Sequence, residues 1–217
     1  MKYFTGLSLT LVVAAYPVRA QISLVPDDRS FWIAAVASIG GATLVDMSAR
    51  RFSIEHRSHG LDRAAEIGDG LGSGKYLIGA MATSWAIARL TGHREVARHV
   101  LHVAAAYTVG NIVVSALKPA VGRERPLGTD DAWRFRPLST SDDWHAFPSG
   151  HAIHAFTLAA AVASESHSNV VAAAGYSAAA LVGWSRVYSL KHWPSDVSAA
   201  AVLGIVSAKT TLSWLHR

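Results

Sequence analysis

The stretch Ala146–Phe156, AFPSGHAIHAF, joins a rigid Pro-Ser-Gly turn to a histidine at the mouth of a long alanine-rich apolar run. That run, Ala152–Ser164, has a length that suits a helix better than a strand, so a buried helix is expected to begin near Ser149. The first backbone N–H groups of a helix have no partner within it and lie at its positive end, which makes them an anion site. Gly150 lets the anion approach closely, Ser149 adds a hydroxyl donor, and His151 supplies an acid that titrates near neutral pH. The stretch therefore describes a phosphate-sized anion pocket with a proton donor on its wall.

Similar apolar segments recur at Phe31–Val45, Tyr76–Ala88, Val100–Leu117, Val170–Trp184 and Val197–Val206, separated by segments rich in Gly, Pro and charge. Of the 217 residues 51% are hydrophobic and only 16% charged, and alanine outnumbers leucine widely. This is the composition of packed helices, and the length suits a single domain with a real core. The expectation is an all-α bundle of about six core helices with the active site at the helix ends. Asp28 or Ser30 can cap the first helix, and Thr91-Gly92 closes the second with a residue suited to the left-handed region.

The first twenty residues have a separate explanation. Lys2 gives a positive start, Phe4–Ala15 an apolar centre, and Val18-Arg19-Ala20 a small-residue cleavage site before Gln21. That is the pattern of a signal peptide over residues 1–20, leaving residues 21–217 as the helical domain and implying export.

Several classes are excluded. With no cysteine there is no disulfide framework, thiolate nucleophile or thiolate metal ligand. The formal charge of +5 falls to +3 without Lys2 and Arg19, too small a bias to require nucleic acid, and no aromatic-interleaved basic patch is present. The tail GDGLGSGKY, Gly68–Tyr76, fails the phosphate-loop template because Asp69 and Tyr76 stand where Gly and Ser/Thr are needed, and it is expected to be a flexible turn. The pairs Asp130-Asp131 and Asp142-Asp143, interleaved with Arg134 and Arg136, read as a self-neutralising loop. His151 and His154 resemble half a metal site, but no third ligand has suitable spacing; His154 shares a face with core residues.

Two further fragments belong with the first. Lys118 is followed seven residues later by Arg125-Pro126, and Pro119, Gly122 and Pro126 are expected to break the helix and curl both cations toward one anion. The fragment SRVYSLKHWPSD, Ser185–Asp196, places Arg186 after an apolar run, a costly site for a charge that lacks a partner. His192 and Asp196 lie four apart across Pro194, as in the first turn of the last helix, so the carboxylate can reach back to the imidazole and fix its tautomer.

Together the fragments read Lys-x6-Arg-Pro, Pro-Ser-Gly-His and Ser-Arg-x5-His-x3-Asp, in that order, from Lys118 to Asp196. The chain thus strongly resembles the type 2 phosphatidic acid phosphatase family, which shares its site with bacterial class A acid phosphatases and vanadium haloperoxidases. The resemblance implies His192 as the nucleophile that forms a phosphohistidine, Asp196 as its orienting carboxylate, and His151 as the acid and then the base. It implies Lys118, Arg125, Arg186, Ser149 and Gly150 as the phosphoryl cradle, with no metal and no cofactor. The helices before Lys118 carry no part of the signature and are expected to scaffold the site.

The expected activity is hydrolysis of a lipid phosphate or diphosphate, such as phosphatidate, phosphatidylglycerophosphate or a polyprenyl diphosphate, because the apolar composition suits a lipid substrate. The alternative is a nonspecific soluble periplasmic acid phosphatase acting on small phosphomonoesters. A vanadium haloperoxidase stands behind both, since known members are much larger. The site is expected in the periplasm. Tyr76–Ala88 has thirteen residues and Val197–Ala208 twelve, short of the roughly 20 needed to cross a bilayer, so the domain is expected to embed in or rest on the membrane surface rather than cross it six times. Phe31–Val45, Val100–Leu117 and Val170–Trp184 are the segments best able to insert.

Overall fold

The computed structural model describes residues 29–217, so the expected signal peptide over residues 1–20 and the expected Asp28 cap lie outside the described residues. In chain order the helices are α1 (Arg29–Glu55), α2 (His59–Gly72), α3 (Gly74–Leu90), α4 (Arg94–Val121), α5 (Gly150–Ser166), α6 (Asn169–Tyr188) and α7 (Pro194–Leu215), with a 3-10 turn at Asp142–Trp144. Each of the six apolar segments lies within one helix, and no strand is present among the described residues. An all-α bundle is the result.

The seventh described helix, α2, lies between the apolar segments Phe31–Val45 and Tyr76–Ala88 and corrects the expectation that Gly68–Tyr76 is a flexible turn. α1 runs on to Glu55, and Ser58 caps α2, its hydroxyl accepting from Leu61 N–H at 3.3 Å. Gly68, Asp69, Gly70 and Gly72 therefore sit in the last turns of a helix instead of a flexible turn. Propensity argues against that helix. Packing overrides it: a Cβ on Gly72 would lie 2.5 Å from Val182 Cγ1 and 3.0 Å from His151 Cβ, so only glycine lets α2 lie this close to α5 and α6.

α5 is the central helix and packs against α4, α6 and α7. Ala152, Ile153, Phe156, Ala160 and Ala161 are at most 2% exposed. Small residues bring the backbones together: a Cβ on Gly204 of α7 would meet Ile153 O at 2.8 Å and Thr157 N at 2.9 Å. In a lipid environment apolar side chains gain little by facing each other, so close packing of Ala and Gly is what holds helices in contact. The alanine bias of the sequence has its cause here.

α4 and α6 run toward one end of the bundle, where they deliver Lys118 and Arg186, while α5 and α7 start there and run away. Pro119 corrects one detail, because it lies inside α4 and does not end it; the helix stops at Gly122, which takes φ +62° and returns its N–H to Lys118 O at 3.0 Å. So near the C-terminus a proline costs little, whereas a left-handed glycine terminates the helix.

Among the described residues four helices, α1, α4, α6 and α7, are long and apolar enough to cross a membrane. The last of these corrects the expectation that Val197–Ala208 is too short, because the helix extends from Pro194 to Leu215. Thr211 and Ser213 interrupt the apolar run in sequence, but their hydroxyls bond within the helix, Thr211 Oγ1 to Ser207 O at 2.8 Å and Ser213 Oγ to Thr210 O at 2.9 Å. Ile33, Val36 and Leu44 on α1 and Ile112 on α4 are 62–85% exposed, an apolar surface suited to lipid and not to water. These features make the chain a membrane protein.

Candidate active site

The site is assembled from the end of α4 and the loop after it, the end of α6 and the connection after it, the starts of α5 and α7, and one residue of α2. Ser149 caps α5, its hydroxyl accepting from Ala152 N–H at 3.4 Å, and Gly150 lies beside Lys118: a Cβ there would be 3.6 Å from Lys118 Cε. Lys118 Nζ donates to His145 O at 2.6 Å. Arg125 Nη2 donates to Asp142 Oδ1 at 2.7 Å, and its Nε is buried without a partner. Arg186 pairs with Asp69 through Nη1 while its own Nε is also buried without a partner. His151 Nε2 lies 3.3 Å from the same Asp69 oxygen.

His192 is 3% exposed and sits in the short connection between α6 and α7. Its backbone N–H donates to Arg186 O at 3.2 Å, which binds the connection to the end of α6. Burial lowers the pKa of its imidazole well below 6.5; the nearby charges of Lys118, Arg186 and Arg125 push the same way, and the hydrogen bond to Ala146 opposes them. The ring is therefore neutral across the physiological range. A neutral imidazole surrounded by three cations keeps a lone pair available for attack on an anion that those cations neutralise.

The expected tie between His192 and Asp196 is only partly present. His192 Nδ1 donates to Ala146 O at 2.5 Å, whereas Asp196 Oδ2 lies 4.0 Å from the same nitrogen. The backbone carbonyl thus sets the tautomer, leaving Nε2 unprotonated, and the carboxylate is near enough only to attract an imidazolium. Asp196 is held elsewhere: it is the third residue of α7, and its Oδ2 accepts from Trp193 N–H at 2.8 Å to cap the helix. Pro194 at the first position leaves that N–H as the donor needing a cap.

The other Asp196 oxygen belongs to a buried network absent from the sequence reading. Arg123, 4% exposed, donates to Asp196 Oδ1 at 2.6 Å, Asp46 Oδ2 at 2.8 Å, Ser195 Oγ at 2.7 Å and Ala132 O at 3.0 and 2.9 Å. Asp46 in turn accepts from Ser195 N–H at 3.0 Å and from its hydroxyl at 2.6 Å. One guanidinium thereby joins α1, the loop after α4 and the start of α7. The signal for it was a single carboxylate, Asp46, directly after the apolar run Phe31–Val45. Asp69 had a weaker signal, since nothing in GDGLGSGKY distinguishes a site carboxylate from a solvated one.

His154 stays apart from this chemistry. Its Nε2 lies 3.1 Å from Asn111 Oδ1 and its ring packs 4.7 Å from that of Tyr107, centroid to centroid.

Comparison with known proteins identifies relatives of the chain. A curated relative, Lipid A 1-phosphatase of Porphyromonas gingivalis, is 35% identical over 96 residues, which are 43% of this chain and only 19% of that protein. The chain thus spans about a fifth of that relative's length. Among solved structures, the transmembrane PAP2 type phosphatidylglycerolphosphate phosphatase from Bacillus subtilis superposes with a TM-score of 0.66 at 20% identity, covering 86% of this chain and 94% of that one. LpxE of Aquifex aeolicus gives 0.62 at 24% identity over 78% and 95%. These two likenesses establish the fold. The PAP2 superfamily model matches residues 99–217, more than half of the sequence and all of the signature from Lys118 to Asp196, and so the chain belongs to the PAP2 superfamily.

Proposed function

We propose that this protein is a metal-independent phosphatase that hydrolyses a lipid phosphate or diphosphate through a phosphohistidine. The observation that carries the reading is Asp69: one carboxylate oxygen meets both Arg186 and His151, taking the place of a phosphoryl oxygen between the cradle and the acid. In the first step His192 Nε2 attacks phosphorus in line with the ester oxygen; the P–N bond forms, the P–O bond breaks, and His151 gives its proton to the departing alkoxide. Water then attacks the phosphohistidine while His151 takes one of its protons, the P–N bond breaks, and inorganic phosphate leaves. Lys118, Arg125 and Arg186 with the Ser149 and Gly150 end of α5 bind the equatorial oxygens, whose charge grows in the transition state. Asp196 acts as a positioning residue, fixing the start of α7 and favouring the imidazolium of the intermediate.

The four long apolar helices favour a membrane-embedded lipid substrate over the soluble monoester of the alternative reading. The 1-phosphate of lipid A and phosphatidylglycerophosphate, named for the relatives, belong to the substrate class that the site accepts. We further propose that the site faces the periplasm. The test is phosphate release by the detergent-purified protein from these lipids, phosphatidate, a polyprenyl diphosphate and soluble monoesters, with EDTA present. Lipid-selective release inhibited by vanadate is expected. Loss of activity in EDTA with recovery on adding a divalent ion overturns the mechanism, and equal rates on soluble esters overturn the lipid assignment. For location, alkaline phosphatase fused after Arg136 should be active; an inactive fusion, with a cytoplasm-only fluorescent reporter lit at the same point, overturns it.

A further inference from the structure

At the end of the bundle opposite His192, three helices bring together residues that no step above uses. His102 near the start of α4, Glu165 at the end of α5 and His216 just after α7 converge, although 63 and 51 residues of chain separate Glu165 from the two histidines. His102 Nδ1 lies 3.0 Å and His216 Nε2 3.1 Å from Glu165 Oε1, and the two ring nitrogens lie 3.3 Å apart. His99, one helical turn before His102, places Nε2 3.4 Å from the other Glu165 oxygen. The Glu165 side chain is only 7% exposed and that of His102 16%, so this is a built site and not a chance meeting of surface groups.

We propose that His102, Glu165 and His216 bind one divalent transition-metal ion of the zinc type. Ligand atoms around tetrahedral zinc stand about 2.0–2.1 Å from the ion, which puts neighbouring ligand atoms roughly 3.3 Å apart. The three separations here, 3.0, 3.1 and 3.3 Å, are those of one face of such a tetrahedron. The donor types agree, since imidazole nitrogen with one carboxylate selects zinc-like ions over magnesium or calcium, which take all-oxygen shells. His99, on the far oxygen of Glu165, holds the carboxylate in the orientation that the ion needs, and the fourth position is left for water or another ligand.

The site lies far from phosphoryl chemistry. His102 and Lys118 are sixteen residues apart on α4, about 24 Å along the helix. The ion is therefore structural: it clips the start of α4 and the ends of α5 and α7 at the side where their connections carry no catalytic residue. The assignment is independent of metal-free phosphate transfer at His192, and EDTA is expected to lower stability while leaving the chemical step intact.

The experiment uses the full chain, purified in detergent without a histidine tag and stripped by chelator. Zinc is titrated against a chromophoric chelator, and cobalt(II) serves as the spectroscopic probe. Expected are one zinc per chain, the intense visible absorption of four-coordinate cobalt, and a Tm several degrees higher with zinc. His102→Ala, Glu165→Gln and His216→Ala should each weaken zinc at least tenfold. His56→Ala, which removes an exposed histidine elsewhere, should leave affinity unchanged. Because His216 is exposed just past the end of α7, its variant is expected to fold even if Glu165→Gln does not. Binding well below one zinc per chain, pale six-coordinate cobalt, no Tm response, or equal loss in His56→Ala overturns the proposal.

Discussion

Arg123→Ala offers the sharpest test of how the site is held. The side chain makes five hydrogen bonds in the buried network and faces two carboxylates, Asp46 at 1% exposure and Asp196 at 0%. Truncation leaves both acids without their cation, and removing one member of a buried ion pair costs about 3–5 kcal/mol because the remaining charge stays desolvated. For a chain of this length each kcal/mol moves Tm by roughly 2–4 °C, so a fall of about 8–16 °C is expected at the middle of that range. Arg123→Lys should fall in between, since an ammonium cannot reproduce the planar fork that reaches α1 and α7 together. The assay is thermal unfolding in detergent of Arg123→Ala, Asp46→Asn and the double variant. Neutralising Asp46 removes one of the stranded charges, so the double variant should be more stable than the sum of the singles requires, by about 2 kcal/mol. A Tm shift under about 2 °C for Arg123→Ala, or strict additivity, would show that this network does not hold α1 to α7.

Three other outcomes follow from the site. His192→Ala should lower kcat by roughly 10⁴ or more, while His151→Ala should lose most of its rate on alkyl phosphates and little on nitrophenyl phosphate, whose leaving group needs no proton; equal losses on both substrates refute the acid role. Gly72→Ala places a methyl 3.0 Å from His151 Cβ, so it should reduce alkyl phosphate turnover on the order of tenfold through the displaced ring; unchanged kinetics refute the close packing of α2 on α5. His192 is neutral in the folded protein because its pKa is depressed, while the unfolded chain protonates below about 6.5. Its contribution to stability is thus complete above about pH 6.5 and declines as the pH falls below it, and His192→Gln, measured by unfolding between pH 5 and 8, should flatten that slope.

The sequence by itself determined the family, the helical class and the order of the signature, because each rests on local information. A helix start is written in Ser149, Gly150 and the apolar run behind them, and His192, Pro194 and Asp196 share one turn. It also placed six of the seven described helices, since apolar runs of helical length need no tertiary context to be seen. α2 escaped because its glycines oppose helix formation until Val182 and His151 lie against them, and packing is a property of the fold. Which partner each charged side chain takes was decided only in three dimensions. Spacing put Asp196 within reach of His192, yet Arg123 and Trp193 N–H hold the carboxylate while Ala146 takes the imidazole proton. A carboxylate goes where donors are most numerous, and donors 73 residues away in the chain have no imprint on local pattern. The same holds for Asp69 at the cradle and for Glu165 between His102 and His216: helices crossing at the two ends of the bundle made neighbours of residues that are strangers in sequence.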